Sequence, residues 1–167
     1  KNTKFIDEVY VTSESKVILQ KAKKSGAIPF LRPKKFALDS SKANDVIKNF
    51  IIKKKLKIGT IIVYHQPSSP LKNSSHINKS INIFKKKKAS GMVSCYEINS
   101  EKIFKSFNLI KKKLVPLFND KLVLKNRQLL KNLYIPNGAI YIFKLDKIFF
   151  KRGINFKNTI PYMMKKN

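Results

Sequence analysis

One cysteine, two histidines, five glycines, nine acidic residues and no tryptophan are spread over a chain of 167 residues. Each shortage excludes something. The single Cys95 cannot close an intramolecular disulfide and suits a reducing cytoplasm. It lies inside the apolar stretch Met92–Tyr96, which reads as a buried, inert thiol. His65 and His76 have no acid or cysteine at ligand spacing, so both read as structural. No apolar run approaches the ~20 residues that cross a bilayer, so no membrane partner is expected. No signal peptide is visible, because Lys1-Asn2-Thr3-Lys4 leads at once to the acidic Asp7-Glu8. Among so few acids no two pair as Mg²⁺ ligands.

Arginine is also scarce. Only Arg32, Arg127 and Arg152 are arginines among 37 basic residues, although the net charge is +28. Such a charge suggests nucleic acid. Readers of bases and phosphates, however, favour the bidentate fork of Arg. Lys, Asn and Ile are all abundant here and share A/T-rich codons, so a biased base composition explains the pattern. Most lysines then read as solvated surface, and no nucleic-acid partner is expected. The three arginines are the informative cations.

Apolar residues reach 43%, enough for one globular domain with a sizeable core. Residues 60–72, Thr-Ile-Ile-Val-Tyr-His-Gln-Pro-Ser-Ser-Pro-Leu-Lys, organise the chain. The run 61–66 predicts a strand buried on both faces, as in a parallel sheet, and Pro67 must end it. Gln66 to Ser69 then lie at the carboxyl end of a central strand, where open α/β sheets bind ligands. A strand followed by an ordinary Pro/Ser turn is the alternative.

Around this stretch strands and helices alternate. Residues 8–12 predict a strand, and Ser13 or Ser15 caps a helix over 16–25 with Val17, Ile18 and Ala22 at helical spacing. Gly26 follows as a C′ residue. Residues 27–31 predict a strand closed by Arg32-Pro33. Residues 40–55 predict a helix with Ala43, Val46, Ile47 and Phe50 on one face. A helix over 75–87 buries Ile77, Ile81 and Phe84, and a strand covers 92–98. Residues 99–133 weaken into a hairpin or arm. A turn at Pro136-Asn137-Gly138 precedes a strand over 139–143, and the aromatic, basic tail 147–167 has no firm period. The class is α/β, mostly parallel.

Six segments, taken in order, carry a resemblance: Val9-Tyr10-Val11-Thr12-Ser13-Glu14-Ser15; Phe30-Leu31-Arg32-Pro33 with Ala37-Leu38-Asp39-Ser40-Ser41; Gln66-Pro67-Ser68-Ser69-Pro70-Leu71; Met92-Val93-Ser94; Asn126-Arg127-Gln128; and Pro136-Asn137-Gly138-Ala139-Ile140-Tyr141-Ile142. Together they resemble the acylneuraminate cytidylyltransferases, the CMP-sialic acid synthetases. The resemblance implies one truncated domain, 1–167, built on an open, mostly parallel Rossmann-like sheet of the nucleotide-diphospho-sugar transferase type. It also implies that residues 99–133 are a dimerisation arm, so the protein is a homodimer. The implied reaction joins CTP to a nonulosonic sugar acid and releases pyrophosphate, with Mg²⁺.

Carried over by motif, Arg32, Asp39, Ser40 and Ser41 would bind the nucleotide. Gln66, Lys105, Arg127, Asn137, Tyr141 and Phe156 would bind the sugar acid. No catalytic and no metal residue is assigned. Two parts of the family pattern have no counterpart here: a Gly/Ser/Lys-rich loop that cradles the triphosphate, and an Asp-x-Asp metal pair after the segment like Ile160-Pro161-Tyr162. Mg²⁺ ligands are therefore expected to be absent, and the chain alone is expected to be inactive. The resemblance further places a strand, also without a counterpart, between those at 9–12 and 61–66. Two readings of other classes remain: a non-catalytic nucleotide- or sugar-binding remnant, and a basic nucleic-acid module.

Overall fold

The computed structural model describes residues 3–69, 72–154 and 156–165. β1 (Tyr10–Ser13) leads into α1 (Lys16–Lys24) and β2 (Ile28–Leu31). Ser15 caps α1, its Oγ accepting from the Ile18 N–H at 3.5 Å. Gly26 takes the left-handed conformation past the helix end, at φ 82°. The buried face of α1 is Leu19 and Ala22; the expected Val17 and Ile18 are exposed. Those two side chains turn away because positions 19 and 22, three apart, are the pair that faces β1 and β2.

A 3₁₀ turn (Lys34–Phe36) precedes α2 (Ala43–Lys53), which buries Ile47 and Ile51. β3 (Ile61–Tyr64), α3 (Ser74–Lys86) and β4 (Gly91–Ile98) follow. Asn73 caps α3 by accepting from the His76 N–H. The excursion after β4 holds α4 (Ser100–Phe104), the hairpin β5 (Phe107–Ile110) and β6 (Lys113–Pro116), the single turn α5 (Asp120–Val123) and a 3₁₀ turn (Arg127–Leu129). β7 (Leu133–Lys144), α6 (Lys147–Arg152) and β8 (Thr159–Met163) complete the chain. The described part of the tail thus forms regular elements, contrary to the aperiodic reading. Asp146 Oδ1 caps α6 at the Phe149 N–H, and β8 pairs parallel with β4.

The sheet has the order β3-β7-β4-β8. β3, β4 and β8 run the same way and β7 runs against them. β1 and β2 form a separate parallel pair. β3 is therefore not the expected central strand with parallel neighbours. It ends the four-stranded sheet, pairs only with β7, and leaves Ile61 exposed. Among the described residues no strand lies between β1 and β3 to complete a continuous sheet. Instead α2 connects the two, because the Phe50 ring meets those of Tyr10 and Phe30 at 5.0 Å and also packs against the core of Ile47, Ile51 and Phe143, as Ile62 and Tyr64 of β3 do.

Two cores flank the four-stranded sheet. One joins Ile81 and Phe84 of α3 to Met92, Ile140 and Ile142. The other joins Ile47 and Ile51 of α2 to Phe143, Leu145 and Phe149. Full burial of side chains this size contributes roughly 1.5–3 kcal/mol each. The alternation Ile140/Ile142 against Tyr141/Phe143 assigns each residue of β7 to one face.

Pro136-Asn137-Gly138 is not a turn before a strand but a bulge inside β7. Val93 pairs with Tyr141, whereas Cys95 pairs with Pro136, so one residue of β4 faces four of β7. That residue is Ser94, fully buried; its Oγ donates to Asn137 Oδ1 at 2.5 Å and accepts from the Ile140 N–H at 2.8 Å. A side chain replaces the ladder bonds that the bulge removes.

Candidate functional site

A recess of ≈280 Å³ opens where β2 ends and faces the carboxyl end of β3. Its walls include Arg32, Leu38, Ser41, Val46 and Tyr64. Arg32 Nη2 donates to Glu14 Oε2 at 2.7 Å. That hydrogen bond holds the Glu14 carboxyl below its usual range. Arg32 Nε is buried without a hydrogen-bond partner, which leaves a donor beside the recess. Ser41 Oγ accepts from the Leu38 N–H at 3.0 Å and closes the loop on that wall. Asp39 and Ser40 stand exposed on the same loop and are not in the wall, so two of the four expected nucleotide residues miss the recess. The Asp39-Ser40 pair turns outward because only Leu38 and Ser41 are tied together.

Tyr64 joins this recess to a second group. Its ring lies 6.0 Å from that of Tyr141, and burial raises the Tyr141 phenol above its ordinary pKa. Just beyond Tyr64, the loop after β3 meets the β7 bulge. A Cβ at Gly138 would stand 2.7 Å from Gln66 Oε1 and 3.2 Å from Ser69 Oγ. Ser69 Oγ donates to the Asn137 carbonyl at 2.9 Å. Lys72 Nζ donates to the carbonyls of Gln66 (2.9 Å) and Ser69 (2.6 Å), and burial lowers its pKa. His65 Nδ1 lies 2.8 Å from the Ala139 carbonyl, and burial pushes its imidazole below the ordinary 6.5. Neutral His65, with Nδ1 as donor, pins β3 to β7, a structural role as expected.

Gln66 and Asn137 are therefore adjacent, but their amides differ. Asn137 Oδ1 accepts from Ser94 Oγ and the Ala139 N–H, and Nδ2 donates to Met164 Sδ. It shapes the bulge, with both acceptor positions of Oδ1 and one Nδ2–H engaged. The Gln66 amide forms no hydrogen bond among the described residues.

The remaining expected residues do not join. Lys105 Nζ pairs with Glu101 at 3.0 Å along α4. Arg127 opens a 3₁₀ turn in the excursion; neither residue lines the recess or bonds the Gln66 group. Local i,i+4 pairing decides Lys105. Phe156 meets Tyr141 only across a small void on the α2 side of the sheet, with its own ring mostly exposed. Tyr64, Lys72 and Ser94 were not anticipated, whereas Ser69 belongs to the polar run expected at the strand end; for Lys72 its ammonium at the close of that run was the available signal.

Among the described residues no group of three His, Cys, Asp or Glu side chains could hold a metal ion. These residues do not fit a Mg²⁺ site, and no step is derived through one. No helix among them is long and apolar enough to cross a membrane.

The fold is similar to that of CMP:2-keto-3-deoxy-manno-octonic acid synthetase solved in complex with CTP, with a TM-score of 0.61 and 10% sequence identity over 98% of this chain and 75% of that one. The sequence pattern named Cytidylyltransferase matches residues 1–156, and the chain belongs to the cytidylyltransferase family.

Proposed function

We propose that this chain binds CTP and a nonulosonic, sialic-acid-type sugar acid, as part of an enzyme that transfers CMP from the one to the other and releases pyrophosphate. The reading rests on family membership and on one observation: Tyr64 links the Arg32 recess to the group around Gln66 and Tyr141 at one end of the sheet. Nucleotidyl transfer is largely a matter of positioning and charge. Arg32 lines the recess with its fork held by Glu14, and its guanidinium charge suits a phosphate. Gln66 offers an amide with no hydrogen bond among the described residues to a polyol hydroxyl or a carboxylate, on a loop where Lys72 ties the Gln66 and Ser69 carbonyls.

The similar solved enzyme acts on another sugar acid, which supports the substrate class. The sialic-type substrate is inferred from the Gln-Pro-Ser-Ser-Pro-Leu and Pro-Asn-Gly-Ala-Ile-Tyr runs. A homodimer through residues 99–133, where Lys105 and Arg127 would meet the partner's site, and a cytoplasmic location belong to the same proposal.

The test is calorimetric titration with CTP and, separately, with N-acetylneuraminic acid. Arg32→Ala should weaken CTP by roughly 1.5–3 kcal/mol, the range for hydrogen bonds to charged groups. Gln66→Ala should weaken the sugar acid and leave CTP unchanged. Unaltered CTP affinity in Arg32→Ala sinks the reading of the recess. A non-catalytic binding remnant is the second reading, favoured by the lack of a metal-holding group among the described residues. Binding of both ligands without pyrophosphate release would select it.

A further inference from the structure

The end of the sheet opposite the recess has its own character. Ile61, Lys144, Gly91 and Thr159 are aligned across it, since Ile61 pairs with Lys144 and Gly91 pairs with both Phe143 and Thr159. α2 and α3 both finish at this end, one on each face of the sheet. They bring Lys53–Lys55 with Lys57 to one side of the strand row and Lys85–Lys88 to the other, with Lys144 and Lys147 between. All are exposed except the half-buried Lys54, and no described salt bridge involves any of them. Asp146, the one acid in these segments, has its Oδ1 bonded to the Phe149 N–H. Lys55 and Lys88 hold left-handed conformations (φ 52° and 49°) at the two helix ends, where glycine would sit without strain.

Exposed aliphatic side chains are interleaved with these cations. Ile52, Ile58 and Ile148 are 65%, 59% and 53% exposed. No arginine occurs in the segments, and the rings these lysines meet, Phe5 under Lys85 and Tyr10 under Lys54, each have a face covered by the ammonium and not open to a base. Cations over aliphatic wedges match a surface of anionic headgroups above hydrocarbon. We propose that this lysine-rich end docks on an anionic lipid surface, with lysines over the lipid phosphates and Ile52, Ile58 and Ile148 entering the interface. On this proposal the protein lies on the bilayer and does not cross it, in keeping with the lack of a membrane-crossing helix among the described residues. The recess, at the other end of the strands, stays open to solvent.

The test is co-sedimentation of the 167-residue protein with vesicles of phosphatidylcholine alone or with about a third phosphatidylserine. Binding is expected only to the anionic vesicles, with release as salt rises from about 0.1 to 0.5 M. Changing Lys53, Lys57, Lys86 and Lys87 to Gln should lower partitioning at least about tenfold. Changing Lys111, Lys112, Lys113 and Lys121 to Gln, at the same net charge, should leave it within about twofold. Ile58→Ser with Ile148→Ser should lower it several-fold at unchanged charge, and this pair carries the test if the lysine variant does not fold by circular dichroism. Equal losses in the two lysine variants, binding to pure phosphatidylcholine, or preference for single-stranded RNA over anionic vesicles overturns the proposal.

Discussion

At the scale of single residues, Gly138 and His65 make the firmest predictions. Gly138 has φ 72° and faces Gln66 Oε1, the far end of a movable side chain. Gly138→Ala therefore meets little steric resistance but must hold a left-handed backbone, at about 1–2 kcal/mol. Its melting temperature should fall by roughly 2–8 °C, and the sugar acid should bind less tightly because Gln66 is displaced. His65 is held neutral by burial, so its folded pKa lies below the unfolded 6.5. The unfolded chain then binds the extra proton, and stability contributed above pH 6.5 is lost as pH falls toward the folded pKa. Thermal unfolding at pH 7.5 and 5.5 should show a larger drop for wild type than for His65→Asn. Of the residues expected at the site, Arg32 and Gln66 were readable in position as residues just past strand ends, while Ser41 lies in the loop before α2 and Tyr141 within β7. Asn137 was legible in position but not in role, since its ties to Ser94 and Met164 are long-range contacts that a linear sequence does not reveal.

At the scale of elements, the hairpin stands out. Leu109 is 73% exposed, Leu114 67%, and Phe107 and Val115 are exposed as well. An exposed apolar hairpin favours association. Under the dimer proposal, Leu109→Asp with Leu114→Asp should convert the protein to a monomer in analytical ultracentrifugation, with near-UV circular dichroism unchanged. A dimer that survives both changes removes the arm from the interface. The weak periodicity of residues 99–133 signalled this departure from the core. The strongly periodic α2 and α3 were readable within a few residues, because one face of each is buried. α6 and β8 were not, because short elements capped by one aspartate and paired to a distant strand leave little local pattern.

At the scale of the whole molecule, the binding-remnant reading proposed above has the chain hold CTP and the sugar acid without turning them over. None of its five glycines belongs to a phosphate-cradling loop, and the described residues gather no metal site. A coupled pyrophosphate assay with CTP, N-acetylneuraminic acid and Mg²⁺ should show no release above background, and release would refute this. The α/β class and the mainly common strand direction were readable from alternating strands and helices. The split of the sheet falls between β1 and β3, where the resemblance placed a strand without a counterpart; composition and periodicity alone did not reveal it, because pairing depends on which strands are neighbours.

That split has a further consequence. Arg32 extends from the two-stranded pair and Tyr64 from the four-stranded sheet, and no ladder hydrogen bond joins the two. A molecule lodged between these side chains would rivet together halves that otherwise share the aromatic grip of Phe50. Occupancy and rigidity would then rise together, and amide protons of Tyr10–Ser13 would become slower to exchange as the recess fills.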